Sequence, residues 1–145
     1  MTAEKDILQN LFEKWVGLAQ EYVGNAPDIR AVYVYASSER GMTVVNAYFD
    51  QGGTVVHPGR VEGIETDTRR VGQMQDLLTE DLFDAEDALA AAGVPRPTEY
   101  RVYFIPSTKM LDVELSREEQ YAGADDRSPI RGIEYWLGDR APKLI

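Results

Sequence analysis

The chain contains no cysteine and only one histidine, His57. Without cysteine there is no disulfide, no thiolate metal site and no thiol nucleophile. His57 precedes Pro58 at the end of a predicted strand, with no serine nucleophile motif nearby. It reads as an exposed strand-end residue more readily than as the base of a triad, although a triad can draw on distant residues. Neither G-x-G-x-x-G nor G-x-x-x-x-G-K-[ST] occurs, which argues against the common nucleotide-binding folds. Long apolar runs are missing, and the N-terminus lacks a basic segment. No signal peptide and no transmembrane helix are therefore expected, and a cytoplasmic location follows as the default. Basic residues are scarce: 15 Lys and Arg stand against 25 Asp and Glu, a net charge of −10 at pH 7. Such a chain repels nucleic acid and anionic membranes and attracts basic protein surfaces. Acidity also keeps proteins soluble, with no partner implied.

Present are 145 residues with 43% hydrophobic content, enough for a single domain over residues 1–145 that buries roughly 70% of its unfolded surface. Ile7, Leu8, Leu11, Trp15, Leu18 and Tyr22 recur at three- and four-residue spacings, predicting a helix over residues 3–22 with Thr2 as its cap. Residues 29–37, 42–50 and 54–57 read as strands separated by turns at Glu39-Arg40-Gly41 and Gln51-Gly52-Gly53. A loop at 58–65 leads to a second long helix over 67–92, capped by Thr66 or Asp67 and stopped by Gly93 and Pro95. Strands follow at 100–105 and 110–115. Ser128 and Pro129 form an N-cap and N1 pair for a short last helix with Ile130, Ile133 and Leu137 as its apolar stripe, although Gly132 weakens that helix.

The predicted order is α-β-β-β-α-β-β-α. Short turns between neighbouring strands require antiparallel pairing. The expected fold is α+β, a mostly antiparallel five-stranded sheet with two long helices on one face. Alternation directs Val32, Val34, Val45, Ala47, Phe49, Val102, Phe104, Leu111, Val113 and Leu115 toward the helices. It directs Tyr33, Tyr35, Asn46, Tyr48, Arg101, Tyr103, Asp112 and Glu114 away from them.

Two features suit recognition of another protein. On the second helix, Asp76, Glu80, Asp84 and Asp87 fall opposite the apolar stripe of Val71, Met74, Leu78, Leu82, Ala85 and Leu89, and no Lys or Arg occurs between Arg70 and Arg96. This is also how the solvated side of any amphipathic helix reads. Phe83 falls beside the acidic residues, either as a contact anchor or packed under the 58–65 loop. The second feature is the outer sheet face, where Tyr33, Tyr35, Tyr48 and Tyr103 accompany Asp112 and Glu114. Tyrosines favour interfaces but also favour strands for their own sake. Glu118-Glu119 and Asp125-Asp126 lack the spacing of a calcium loop and read as a solvated acidic segment. No cofactor or metal is expected.

Three stretches resemble the YezG-like family of bacterial immunity proteins: Tyr100-Arg101-Val102-Tyr103-Phe104, Leu111-Asp112-Val113-Glu114-Leu115-Ser116, and the tail from Ser128-Pro129 to Tyr135-Trp136-Leu137-Gly138. The resemblance extends to the whole order of elements. It implies a non-enzymatic antitoxin that binds and neutralises a cognate secreted toxin domain, often a nuclease and so basic where it holds phosphate. The family carries no catalytic residue, and it does not fix which face binds. Two other classes remain open: an acidic DNA-mimic or regulatory adaptor, and a small hydrolase built on His57 or on paired carboxylates.

Overall fold

A computed structural model describes residues 3–121 and 127–142. Thr2, Asp125 and Asp126, named above as a cap and as part of an acidic loop, lie outside the described residues. The fold is α+β. Helix α1 (Ala3–Val23) precedes strands β1 (Ile29–Glu39), β2 (Met42–Gln51) and β3 (Thr54–Val56). Helix α2 (Thr68–Ala91), strands β4 (Glu99–Ile105) and β5 (Met110–Ser116), and a short helix α3 (Gly132–Leu137) complete the order. Single 3-10 turns, Pro58–Arg60, Pro129–Arg131 and Gly138–Arg140, punctuate the connections.

The sheet runs β3-β2-β1-β4-β5, antiparallel throughout. Its order follows from the turns. Gln51 pairs with Thr54 across Gly52-Gly53, both at positive φ, the geometry a two-residue hairpin loop needs to match strand twist. β1 lies at the centre, with β2 on one side and β4 on the other.

Both long helices pack on one face of the sheet. Leu8, Leu11, Trp15 and Ala19 from α1 meet Met74, Leu78, Leu82 and Leu89 from α2 over Val32, Val34, Ala47, Phe49, Tyr100 and Val102. Each fully buried leucine contributes roughly 1.5–3 kcal/mol. Trp15 is wholly buried; its indole N–H donates to the Leu78 carbonyl at 2.9 Å and its ring meets Tyr100 edge-on at 5.4 Å. Asp67 caps α2 by accepting from the Arg70 N–H at 3.0 Å. The loop before α2 is tied down by Tyr22, whose hydroxyl donates to the Pro58 carbonyl at 2.6 Å, and by Arg70, which donates to the carbonyls of Glu65 and Tyr22.

The opposite face carries a second apolar layer. Ile133, Trp136, Leu137 and Ala141 fold back over Ala31, Tyr33, Tyr35, Tyr48 and Val55. Ser128 caps this segment, accepting from the Ile130 N–H. Ile130, expected in the apolar stripe, is 57% exposed. It lies in the 3-10 turn before α3, where the helical period that would align it with Ile133 has not begun. The inward strand positions divide by place in the sheet. Val45, Ala47, Phe49 and Val102 are buried, whereas Leu111 and Leu115 on the outermost strand are 44% and 36% exposed, because α1 packs over β1 and α2 over β2.

Candidate functional site

Helix α2 presents the acidic side foreseen for it. Met74, Leu78, Leu82, Ala85 and Leu89 are buried, and Asp76, Glu80, Asp84 and Asp87 are all exposed. A helix anchored along five buried positions holds four carboxylates in a fixed row. Phe83 is 47% exposed beside them. It does not lie under the 58–65 loop. It lines a cleft of about 730 Å³ at the end of the β1–β2 hairpin, together with Ser38, Gly41, Thr43, Glu86, Asp87, Ala90, Val94 and Arg96.

The cleft holds a carboxylate that periodicity alone did not single out. Glu86 is buried within the apolar arc of α2; Ser38 Oγ donates to its Oε2 at 2.7 Å, and Arg96 Nη1 stands 3.5 Å from its Oε1. The signal in the sequence was positional: Glu86 follows Leu82 by four residues and so borders the apolar arc, where a buried charge requires partners. Phe83 with Asp87 gives one wall of the cleft an aromatic face and an exposed carboxylate, while Glu86 beside them is taken up by Ser38 and Arg96. Such a wall suits a Lys or Arg side chain.

Of the four tyrosines assigned to an open sheet face, three are buried. Tyr33, Tyr35 and Tyr48 point away from α1 and α2 as alternation requires, but they are only 2%, 1% and 4% exposed. The segment 127–142 covers them. Trp136 stands edge-on to Tyr33 at 5.5 Å, and Arg140 Nη2 donates to the Tyr33 hydroxyl at 2.9 Å. These tyrosines form a second core and offer no direct contact surface. Burial raises the hydroxyl pKa of all three; at Tyr35 the neighbouring Glu99 and Tyr121 add to the rise.

Tyr35 anchors a buried polar knot. Its hydroxyl donates to Glu99 Oε2 at 2.6 Å and shares a hydrogen bond with the Tyr121 hydroxyl, and Arg101 Nε lies 3.4 Å from Glu99 Oε1. Glu39, also buried, accepts the backbone N–H groups of Gln120 and Tyr121 at 2.6 and 3.1 Å. Glu39 and Glu99 thereby fasten the chain after β5 to the sheet. Glu119, part of the expected acidic loop, pairs with Arg40.

What stays open on this face is a strip over β4 and β5. Tyr103 is half-buried, its ring 5.0 Å from that of Tyr33, and Asp112 and Glu114 are exposed. With Arg101, Trp136, Leu137 and Arg140 they line a groove of about 310 Å³. His57 is half-buried, its ring 5.6 Å from that of Tyr48, so it is not the exposed strand-end residue the sequence suggested. It precedes a buried proline and packs beside Tyr48 at the edge of the second core. No helix among the described residues is long and apolar enough to cross a membrane. No protein-family model and no curated protein sequence matches the chain.

Proposed function

We propose that this chain is an immunity protein, which binds a cognate secreted toxin domain in the cytoplasm and neutralises it by stoichiometric docking, without chemistry of its own. The observation that carries this reading is the row Asp76, Glu80, Asp84 and Asp87, exposed on a well-anchored helix beside Phe83, in a chain of net charge −10. A rigid acidic row suits the basic surface with which a nuclease holds phosphate. The Phe83 cleft offers a place for one basic side chain of that surface. The resemblance to the YezG-like family points the same way.

Co-expression with the C-terminal toxin domain of a secreted protein encoded beside it tests the reading. The chain should protect cells, form a complex, and end toxin activity at an equimolar ratio. Neutralisation at a small fraction of that ratio would mean turnover and overturn docking as the mechanism. Retention of several unrelated DNA-binding proteins in place of one toxin would instead make the chain a DNA mimic.

A further inference from the structure

Strand β5 is the outermost strand on its side of the sheet. Of the seven large apolar side chains exposed among the described residues, three, Met110, Leu111 and Leu115, belong to this one seven-residue strand. Leu111 and Leu115 sit opposite Phe104 and Tyr100, so they extend the face that α1 and α2 cover elsewhere. Asp112 and Glu114 sit opposite Tyr103 and Arg101 on the other face, both exposed, and Arg101 is engaged with Glu99. Among the described residues no strand pairs with the outer edge of β5, which shows an apolar row on one side and two carboxylates on the other. An open edge of this kind is a template for an added strand.

We propose that β5 receives an extended segment of the protein partner, alternating apolar and basic side chains, as a sixth strand of the sheet. Side chains of a strand alternate between its faces. The partner's apolar residues would lie against Leu111 and Leu115, and its Lys or Arg residues, two apart, against Asp112 and Glu114. Main-chain hydrogen bonds supply affinity and the two side-chain rows supply specificity. A second copy of this chain fits poorly. Symmetric antiparallel pairing about Val113 sets Asp112 against Glu114 of the other copy, and in-register parallel pairing sets each carboxylate against itself. Like charges directly opposite destabilise a sheet pair. The proposal rests on the reading of the chain as a protein-binding module, whatever that partner proves to be.

The test is an NMR titration of the isotope-labelled protein with a blocked octapeptide of alternating lysine and valine. Amide shifts and slowed hydrogen exchange should gather on Met110–Ser116. Asp112→Lys together with Glu114→Lys should weaken that binding about tenfold or more and transfer preference to a glutamate–valine alternating peptide. A peptide of the same composition, with lysines and valines in separate blocks, should leave β5 unshifted. Shifts confined to α2 would overturn the proposal, as would a block peptide acting equally on β5. Protection of β5 by raised protein concentration alone would assign the edge to a second copy and also overturn it. The readout involves no toxin. A chain that takes the peptide at β5 but neutralises nothing would overturn the immunity function and leave the edge assignment standing.

Discussion

Tyr35 packs so tightly onto Gly132 that a β-carbon added there would sit 2.1 Å from the ring carbon Cε2. The glycine that looks like a defect in a short helix is thus the condition for closing α3 over β1. Gly132→Ala should cost about 1–3 kcal/mol, since either the ring must move and disturb the Tyr35–Glu99 bond or α3 must lift from the sheet. Thermal unfolding measures it. An alanine variant that melts with the parent would mean that α3 is not seated on Tyr35.

The Tyr35 hydroxyl is the shortest donor to a carboxylate buried at 6% exposure. Tyr35→Phe keeps the ring but leaves Glu99 short of a donor, at a cost of about 1–3 kcal/mol. Chemical denaturation should show a lower midpoint with an unchanged slope, because the surface exposed on unfolding is the same.

Much of this architecture was legible in the sequence, and most of the failures share one cause. Periodicity placed Leu78, Leu82 and Leu89 inside and Asp76, Glu80 and Asp84 outside, because one helix has one buried side. Alternation separated Val32 and Val34 from Tyr33 and Tyr35 correctly. It could not say that residues 127–142 would return to cover the tyrosines, since a local period carries no information about a distant segment of chain. The same limit applies to Leu111 and Leu115, whose inward direction was correct but whose exposure depends on where the helices lie. Ile130 failed for a different reason: three apolar residues at helical spacing matched a helix that starts only at Gly132.

Asp81 stands on the side of α2 that faces α1. Its partial removal from water raises the carboxyl pKa above the ordinary 3.8; Lys14 opposes the rise, and Asp84 and Glu80 add to it. The folded state therefore holds this proton more tightly than the unfolded chain. The unfavourable contribution is absent below pH 3.8, grows as pH rises toward the folded pKa, and is complete above it. At pH above the folded pKa, Asp81→Asn should raise the melting temperature, with the gain shrinking as pH falls through that pKa and gone below pH 3.8. A gain independent of pH would assign the effect to packing.

Phe83 is exposed enough for Phe83→Ala to leave folding within about 0.5 kcal/mol of the parent. Partner affinity should fall by about 2 kcal/mol or more if the ring lies at a desolvated interface centre. Calorimetry against the proposed toxin partner reads this, with melting curves as the folding control.

Replacing Asp76, Glu80, Asp84 and Asp87 together by their amides should act differently. It should slow association, flatten the dependence of the on-rate on salt, and leave dissociation nearly unchanged. An on-rate that ignores both salt and the four amides would point to an interface elsewhere on the molecule.

The central position of β1 has a consequence for a chain made from its N-terminus onward. β1 can pair with β2 almost at once, but its other edge has no partner until β4 emerges, and its tyrosine face has no cover until residues 127–142 follow. An unfinished chain on the ribosome therefore carries a strand that is apolar on one side, aromatic on the other and open along an edge, the combination that recruits neighbouring nascent chains. The stretch translated in that interval includes α2, with no Lys or Arg between Arg70 and Arg96. Its carboxylates give every incomplete copy the same sign of charge, and so hold incomplete copies apart until the second half of the sheet arrives.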